Sequence, residues 1–321
     1  MEQALNTRTM AAPEISIVVP MMNEEDSLDS FFARLLPVLA QLTQTYEIVI
    51  VNDGSRDATL EKLTAHQKNI PQLVVVDLSR NFGKEAALTA GFSEARGEAV
   101  IVLDADLQDP PELILQMVEK WQAGYEVVAV VRKDRSGDRF FHRANVGFFY
   151  KFINMMSDTK IKPNVRDYRL MCRAAVDAFL SLKERTRFNK GLFAWLGFRE
   201  YYIYQELHDR VAGSTKWNFR KLFSFAIDGI TSFSTTPLRI WTYIGFATAC
   251  FAFLLGLFMI VKTLLFGVIT PGWTSTMVVI LFFSGLNMLS VGILGEYVGR
   301  VFIETKQRPL FIIRKVYGRK K

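Results

Sequence analysis

The stretch Val100–Glu112, VIVLDADLQDPPE, brings Asp104, Asp106 and Asp109 together at the end of an apolar run. Like charges repel, so carboxylates crowded at a buried strand end call for something positive between them. A hard divalent cation, Mg²⁺ or Mn²⁺, is held by one or two carboxylates together with substrate phosphates and water. Asp104-x-Asp106 sets two carboxylates near one point, and Gln108 adds a neutral oxygen two residues on. A turn is the alternative, since Asp is frequent in loops and Pro110 can open a helix at its first position. The spacing leaves both open, and the elements that carry these residues have to decide.

Those elements read as a covered parallel sheet. The runs ISIVVP (15–20), YEIVIVND (46–53), LVVVDLS (73–79), AVIVLD (99–104) and YEVVAVV (125–131) are rich in Val and Ile and apolar on both faces. Helical periodicity fills the gaps between them, as in EEDSLDSFFARLLPVLAQL and KEAALTAGFSEA. Strands alternating with helices predict a doubly wound, mostly parallel α/β sheet. Ligands of such sheets bind outside the carboxyl ends of the strands. Asn52-Asp53, Ser79-Arg80 and Asp104 all fall at such ends. Residues 132–215 mix basic loops with helical patches and one strand, REYYIYQEL, and their topology does not follow from the pattern.

The C-terminal third has a different composition. Residues 217–234 set Phe219, Leu222, Phe223, Ala226, Ile230 and Phe233 on one helical stripe, which reads as an amphipathic helix in a membrane interface. Ile240–Val261 and Gly272–Gly295 carry no charge, and each exceeds the roughly 20 residues that cross a bilayer core. Two spans with a short connection predict a hairpin. Arg220, Lys221 and Arg239 precede it, and Arg300, Lys306, Arg308, Arg314, Lys315, Arg319, Lys320 and Lys321 follow it. Only Lys262 borders the connecting loop, so the positive-inside rule puts both termini in the cytoplasm. Much of the +7 net charge flanks the apolar segments, which points to anionic lipid rather than nucleic acid. No signal peptide is expected at the N-terminus. Cys172 and Cys250 give no disulfide framework. The expected organisation is a cytosolic domain over 1–216, the interface helix over 217–237, the hairpin over 238–299 and a basic tail over 300–321.

Other chemistries find little support. There is no Gly-x-Gly-x-x-Gly and no Gly-x-x-x-x-Gly-Lys-Ser/Thr. No Ser-His-Asp order or Cys/His zinc spacing stands out. Asp53 in VNDGSRDAT can accept hydrogen bonds from a base N–H or from sugar hydroxyls, while an ordinary strand–helix turn would use the same residues.

Taken together, ISIVVPMMNEEDSL, VNDGSRDAT, SRNFGKEAAL, VLDADLQDPPE, DYRLM, RVAGSTKW, ITSFSTTPLRIW and LGEYVGR resemble glycosyltransferase family 2. Within it, the chain is similar to the membrane-bound polyprenyl-phosphate glycosyltransferases, near the bactoprenol glucosyltransferases of O-antigen lipopolysaccharide modification. The resemblance covers nearly the whole chain after residue 13.

It implies a GT-A nucleotide-sugar fold that uses Mg²⁺ or Mn²⁺ to move a hexose, glucose above all, from a UDP-sugar to undecaprenyl phosphate. Galactose, N-acetylglucosamine or an aminopentose would leave similar motifs. The donor would be bound by Pro20, Asn23, Glu24, Asp53, Lys84 and Asp104, and the metal by Asp104, Asp106 and Gln108. Asp106 and Asp167 would be catalytic; Asp167 lies in DYRLM, where Tyr168 stands for the family's Phe. Arg132, Arg210, Ser214 and Lys216 would bind the acceptor phosphate. The resemblance also implies two spans in a bacterial inner membrane, a cytoplasmic catalytic domain and a homo-oligomer, since relatives of this kind can be tetrameric. A processive polysaccharide synthase is the nearest rival, but no Gln-x-x-Arg-Trp string is present. A catalytically silent UDP-sugar-binding scaffold is the other.

Overall fold

The computed structural model of the chain describes residues 13–132, 162, 164–185, 187, 189–205, 236–267 and 272–319. These fall into two compact units. One comprises the described residues between 13 and 205 together with 308–319, and the other the described residues from 236 to 307.

The first unit is built on an eight-stranded sheet. Its strands are β1 (Ile15–Met21), β2 (Tyr46–Asn52), β3 (Leu73–Leu78), β4 (Ala99–Val102), β5 (Val127–Arg132), β6 (Val165–Cys172), β7 (Glu200–Gln205) and β8 (Ile313–Tyr317). Their spatial order is β7-β5-β6-β4-β1-β2-β3-β8. β1 pairs in parallel with both β2 and β4, β2 with β3, and β5 with β7. The chain winds outward from β1 through β2 to β3, then returns to lay β4 on the other side of β1. The order therefore reverses between β1 and β4, and a crevice opens there at the carboxyl ends. Every residue of β3 and β4 is buried, as the continuous apolar runs require.

Helices cover both faces. They are α1 (Leu28–Leu39), α2 (Thr59–Asn69), α3 (Lys84–Glu94), α4 (Leu113–Gln122), α5 (Arg173–Ser181) and α6 (Asn189–Leu196). α1 buries Leu28, Phe31, Phe32, Leu35, Val38 and Leu39, an i, i+3, i+4 stripe that packs on the sheet. α3 differs: Ala86 to Phe92 are buried all round. Its small residues let it sit tight on β1 and β2, and a Cβ on Gly91 would come within 2.3 Å of the Val18 side chain. This close seat fixes the helix, and with it Lys84 at its first turn.

Two strands depart from the expectation. β6 falls in the stretch whose topology the sequence left unread, and it inserts antiparallel between β4 and β5. Its Arg166, Asp167 and Arg169 break the apolar run by which the other strands are recognised. β8 comes from the segment expected to be only a basic tail. Ile313–Tyr317 pair antiparallel with β3 and form the sheet edge, so these C-terminal residues belong to the first unit.

The second unit consists of two long helices, α7 (Thr236–Phe266) and α8 (Trp273–Thr305). The apolar stretches Ile240–Phe266 and Thr276–Thr305 are long enough to cross a membrane, with mean hydropathies of 2.5 and 2.2 and no burial inside the protein. Large side chains such as Phe246, Leu264 and Phe282 stand open, a surface that water does not favour and lipid does. The interface helix expected over 217–237 lies outside the described residues apart from its last two positions, which open α7.

Candidate active site

The β1–β4 crevice holds a cleft of about 270 Å³. β1 and its following turn contribute Pro20, Met22 and Glu24 to the lining, and the end of β2 contributes Asp53. Lys84 comes from the head of α3, and Asp104 and Asp106 follow β4. Six residues expected from the sequence, Pro20, Glu24, Asp53, Lys84, Asp104 and Asp106, are thus gathered in one place.

The antiparallel insertion of β6 adds a seventh. Val102 pairs with Arg169, so Asp104, just past the end of β4, and Asp167, on β6, each lie two residues beyond that pair. Two carboxylates brought together in this way need a cation. Lys84 supplies it, with its Nζ 2.8 Å from the Asp104 carboxylate and 3.0 Å from Asp167 Oδ2. Burial pulls the Lys84 pKa down, but Asp167 and Asp104 outweigh it and the net shift is upward. Burial pushes Asp167 up, but Lys84 and Lys190 turn the balance downward. Lys84 and Asp167 are therefore both charged near neutral pH.

Asp53 is buried, and both of its carboxylate oxygens accept backbone hydrogen bonds. Phe82 N donates to Oδ1 at 2.7 Å and Gly83 N to Oδ2 at 2.9 Å. In this arrangement Asp53 organises the loop that delivers Lys84, while still bordering the cleft. Gly54 beside it has φ +64, and a Cβ there would lie 2.4 Å from the Arg80 carbonyl carbon. Only glycine lets the β2–α2 turn approach the β3–α3 loop this closely.

Asn23 lies outside the cleft lining. Its φ is +55, its Oδ1 accepts from Arg56 N at 2.9 Å, and its own N–H donates to Ser55 Oγ at 3.0 Å, so it joins two turns. Glu24 accepts from the Ser27 hydroxyl at 2.7 Å. Gln108 N donates to Asp106 Oδ1 at 3.1 Å, which closes a short turn after the Asp-x-Asp pair. The two readings of that stretch are therefore compatible: it is a turn, and the turn presents both carboxylates.

Among the described residues no three Asp, Glu, His or Cys side chains converge to hold an ion by themselves. Two carboxylates on one open rim suit a Mg²⁺-type ion, which takes one or two from the protein and the rest from phosphate and water. The donor set thus fits the expected metal.

Arg132 ends β5 at the same edge of the sheet, and its N–H donates to Asn164 O at 3.1 Å. Arg210, Ser214 and Lys216 lie outside the described residues.

Several neighbours were not legible in the sequence. Asn81 lines the cleft and donates to Met22 Sδ at 2.6 Å. Burial together with Asp167 pushes the Glu85 carboxyl up to about 7, against Lys84 and Lys190. Asp109, third of the crowded acids, points away into an ion pair with Arg166 at 3.1 Å. Burial, only partly offset by Arg166, pushes its carboxyl up to about 6. The Tyr168 hydroxyl donates to Pro110 O at 3.1 Å and so ties β6 to the turn after Asp109. This accommodates a Tyr where the family pattern has Phe.

Comparison with known proteins identifies the family of the chain. Residues 16–180 match the model of glycosyl transferase family 2. An uncharacterized glycosyltransferase of Synechocystis sp. is 50% identical, with 95% of this chain and 96% of that protein covered. A prophage bactoprenol glucosyl transferase homolog of Escherichia coli K12 is 45% identical, with 94% and 99% covered. The bactoprenol glucosyl transferase of Shigella phage SfII is also 45% identical, with 94% and 98% covered. With the family model spanning the sheet from β1 into α5, and these relatives matching almost end to end, the chain belongs to glycosyltransferase family 2.

Proposed function

We propose that this glycosyltransferase moves a hexose, most simply glucose, from a UDP-sugar to polyprenyl phosphate at the cytoplasmic face of a bacterial inner membrane, with inversion at the anomeric carbon. The observation that carries the reading is the Asp104–Lys84–Asp167 chain beside Asp106 and Asp53 at the β1–β4 switch point. The 45% identical relatives named for bactoprenol glucosyl transfer support the lipid acceptor and the sugar. The two long apolar helices support a membrane site.

In this reading Pro20, Glu24 and the rim of Asp53 border the uridine, with Asn23 bracing the turn. Asp106 and Asp104, with Gln108, would hold Mg²⁺ or Mn²⁺, which supplies charge for the departing diphosphate. Lys84 adds a fixed positive charge at the same place, where charge develops as the glycosidic bond breaks. A phosphate acceptor is already anionic near neutral pH and needs positioning more than deprotonation. Asp167, held ionised by Lys84, therefore orients rather than acts as a strong base. Arg132, Arg210, Ser214 and Lys216 would neutralise and hold the acceptor phosphate.

The test is transfer by the purified full chain from labelled UDP-sugars to undecaprenyl phosphate, with product mass measured. A metal-dependent hexosyl phospholipid is expected from UDP-glucose. A water-soluble polymer would favour a synthase, and no product from any UDP-sugar would favour a silent binder.

A further inference from the structure

The loop Ser79–Gly83 connects β3 to α3 and carries Asn81, Gly83 and, just beyond, Lys84 into the cleft. It has open space on both sides. Behind it lies a second cavity of about 540 Å³, lined by Asn52, Gly54, Asp77, Arg80, Asn81 and Arg314 among others. The Gly54 turn packs against its Arg80 backbone, and with cavities beside the rest of the loop its position depends further on tethers.

The tethers lie at its two ends. At the cleft end the Asp53 carboxylate takes the Phe82 and Gly83 amides. At the other end the tether is the C-terminal strand. Ser79 N donates to Ile312 O at 2.9 Å. Arg314 Nη2 donates to Ser79 O at 2.6 Å, and its Nη1 lies 3.4 Å from Asp77 Oδ2. Asp77 is buried, and its other oxygen accepts from Asn52 Nδ2 at 2.8 Å. One guanidinium therefore links the edge strand, the last turn of β3 and the first loop residue. Its own side chain remains well exposed, so the direct bond to the loop carbonyl matters more than the ion pair.

We propose that Arg314 is a positioning residue for the sugar-nucleotide donor: from the C-terminal strand it holds the Ser79–Gly83 loop in the place where Asn81 and Lys84 meet the donor. This rests on the cleft being the donor site. Arg314 bonds the loop and does not line the donor cleft, so its removal acts on donor affinity through loop placement. The acceptor is not affected.

The experiment compares Arg314→Ala, Arg314→Lys and Lys315→Ala in the full chain with the wild type, reading UDP affinity by titration and the kinetic constants for UDP-glucose and undecaprenyl phosphate. Arg314→Ala is expected to raise the UDP-glucose KM about tenfold, with the acceptor KM unchanged. Arg314→Lys reaches one oxygen instead of two and is expected to recover part of the loss. Lys315→Ala, whose side chain lies over the Tyr317 ring, is expected to behave as wild type. A UDP-glucose KM within twofold of wild type in Arg314→Ala, or a loss seen in acceptor KM instead, overturns the proposal. Should Arg314→Ala fail to fold, Arg314→Lys decides: a raised donor KM at an unchanged melting temperature supports it, and an unchanged KM overturns it. Failure of the wild type to bind UDP would instead overturn the donor-site reading itself.

Discussion

Lys84 stands between two carboxylates that the sheet forces into proximity, and both contacts are within 3.0 Å. Replacing it by Met leaves Asp104 and Asp167 facing each other with no cation. Turnover is expected to fall about a hundredfold or more, with a lower melting temperature, because an ion network that loses one member strands the others. Retained turnover in Lys84→Met would remove the lysine from the mechanism. Glu85 makes a pH prediction. Its carboxyl is raised from the ordinary 4.5 to about 7, so the folded chain keeps a proton that the unfolded chain has lost. Stability then declines as pH rises through that window and levels off above it. Glu85→Gln cannot ionise, so its stability relative to wild type should grow with pH up to about 7, as read from melting temperatures across pH. Parallel curves for the two proteins would contradict the assignment. Asp104 and Asp106 were legible in the sequence because their string stands at a strand end, and Lys84 entered only through the family resemblance. Glu85 was not legible, since one acid in the first turn of a helix looks like ordinary dipole compensation.

The site depends on elements that the sequence conveyed unequally. β1 to β5 announce themselves as runs rich in Val and Ile. β6 does not, because Arg166, Asp167 and Arg169 interrupt it, yet its antiparallel register is what sets Asp167 opposite Asp104. β8 carries the adjacent Arg314 and Lys315 between apolar residues and sits among basic residues that read as a lipid-facing tail. Pairing across more than two hundred positions leaves no local trace, so that strand could not be read from pattern alone. The turn after β2 offers a direct check of element packing. Gly54→Ala must place a Cβ 2.4 Å from the Arg80 backbone at φ +64. A stability loss of about 1–3 kcal/mol is expected in denaturant melts, with weaker UDP binding as the Arg80 loop shifts. An unperturbed midpoint would mean that the two loops are not in contact.

At the scale of the whole molecule, a glycosyltransferase family 2 domain is covalently joined to two apolar helices. The helices run to Phe266 and Thr305, somewhat beyond the charge-free stretches that predicted them. Their existence was legible because about 20 consecutive apolar residues have few other uses. The proposed function needs a hairpin with both ends in the cytoplasm, as the positive-inside rule expects from the basic flanks, and cysteine labelling tests this. With Cys172 and Cys250 replaced by Ala, Gly267→Cys should react with an impermeant maleimide added outside spheroplasts. Lys315→Cys should react only after lysis. The opposite pattern would invert the topology and put the donor cleft on the wrong side for a cytosolic sugar nucleotide.

The claim on which the account turns is that Asp104 and Asp106 form a rim that holds a divalent cation against the donor diphosphate. Calorimetric titration of UDP into the full chain, in MgCl₂ and then in EDTA, tests it most directly. The account predicts binding at least about tenfold tighter with the metal, an advantage that Asp106→Ala abolishes. Equal UDP affinity in both buffers, or a metal advantage that survives Asp106→Ala, would contradict it.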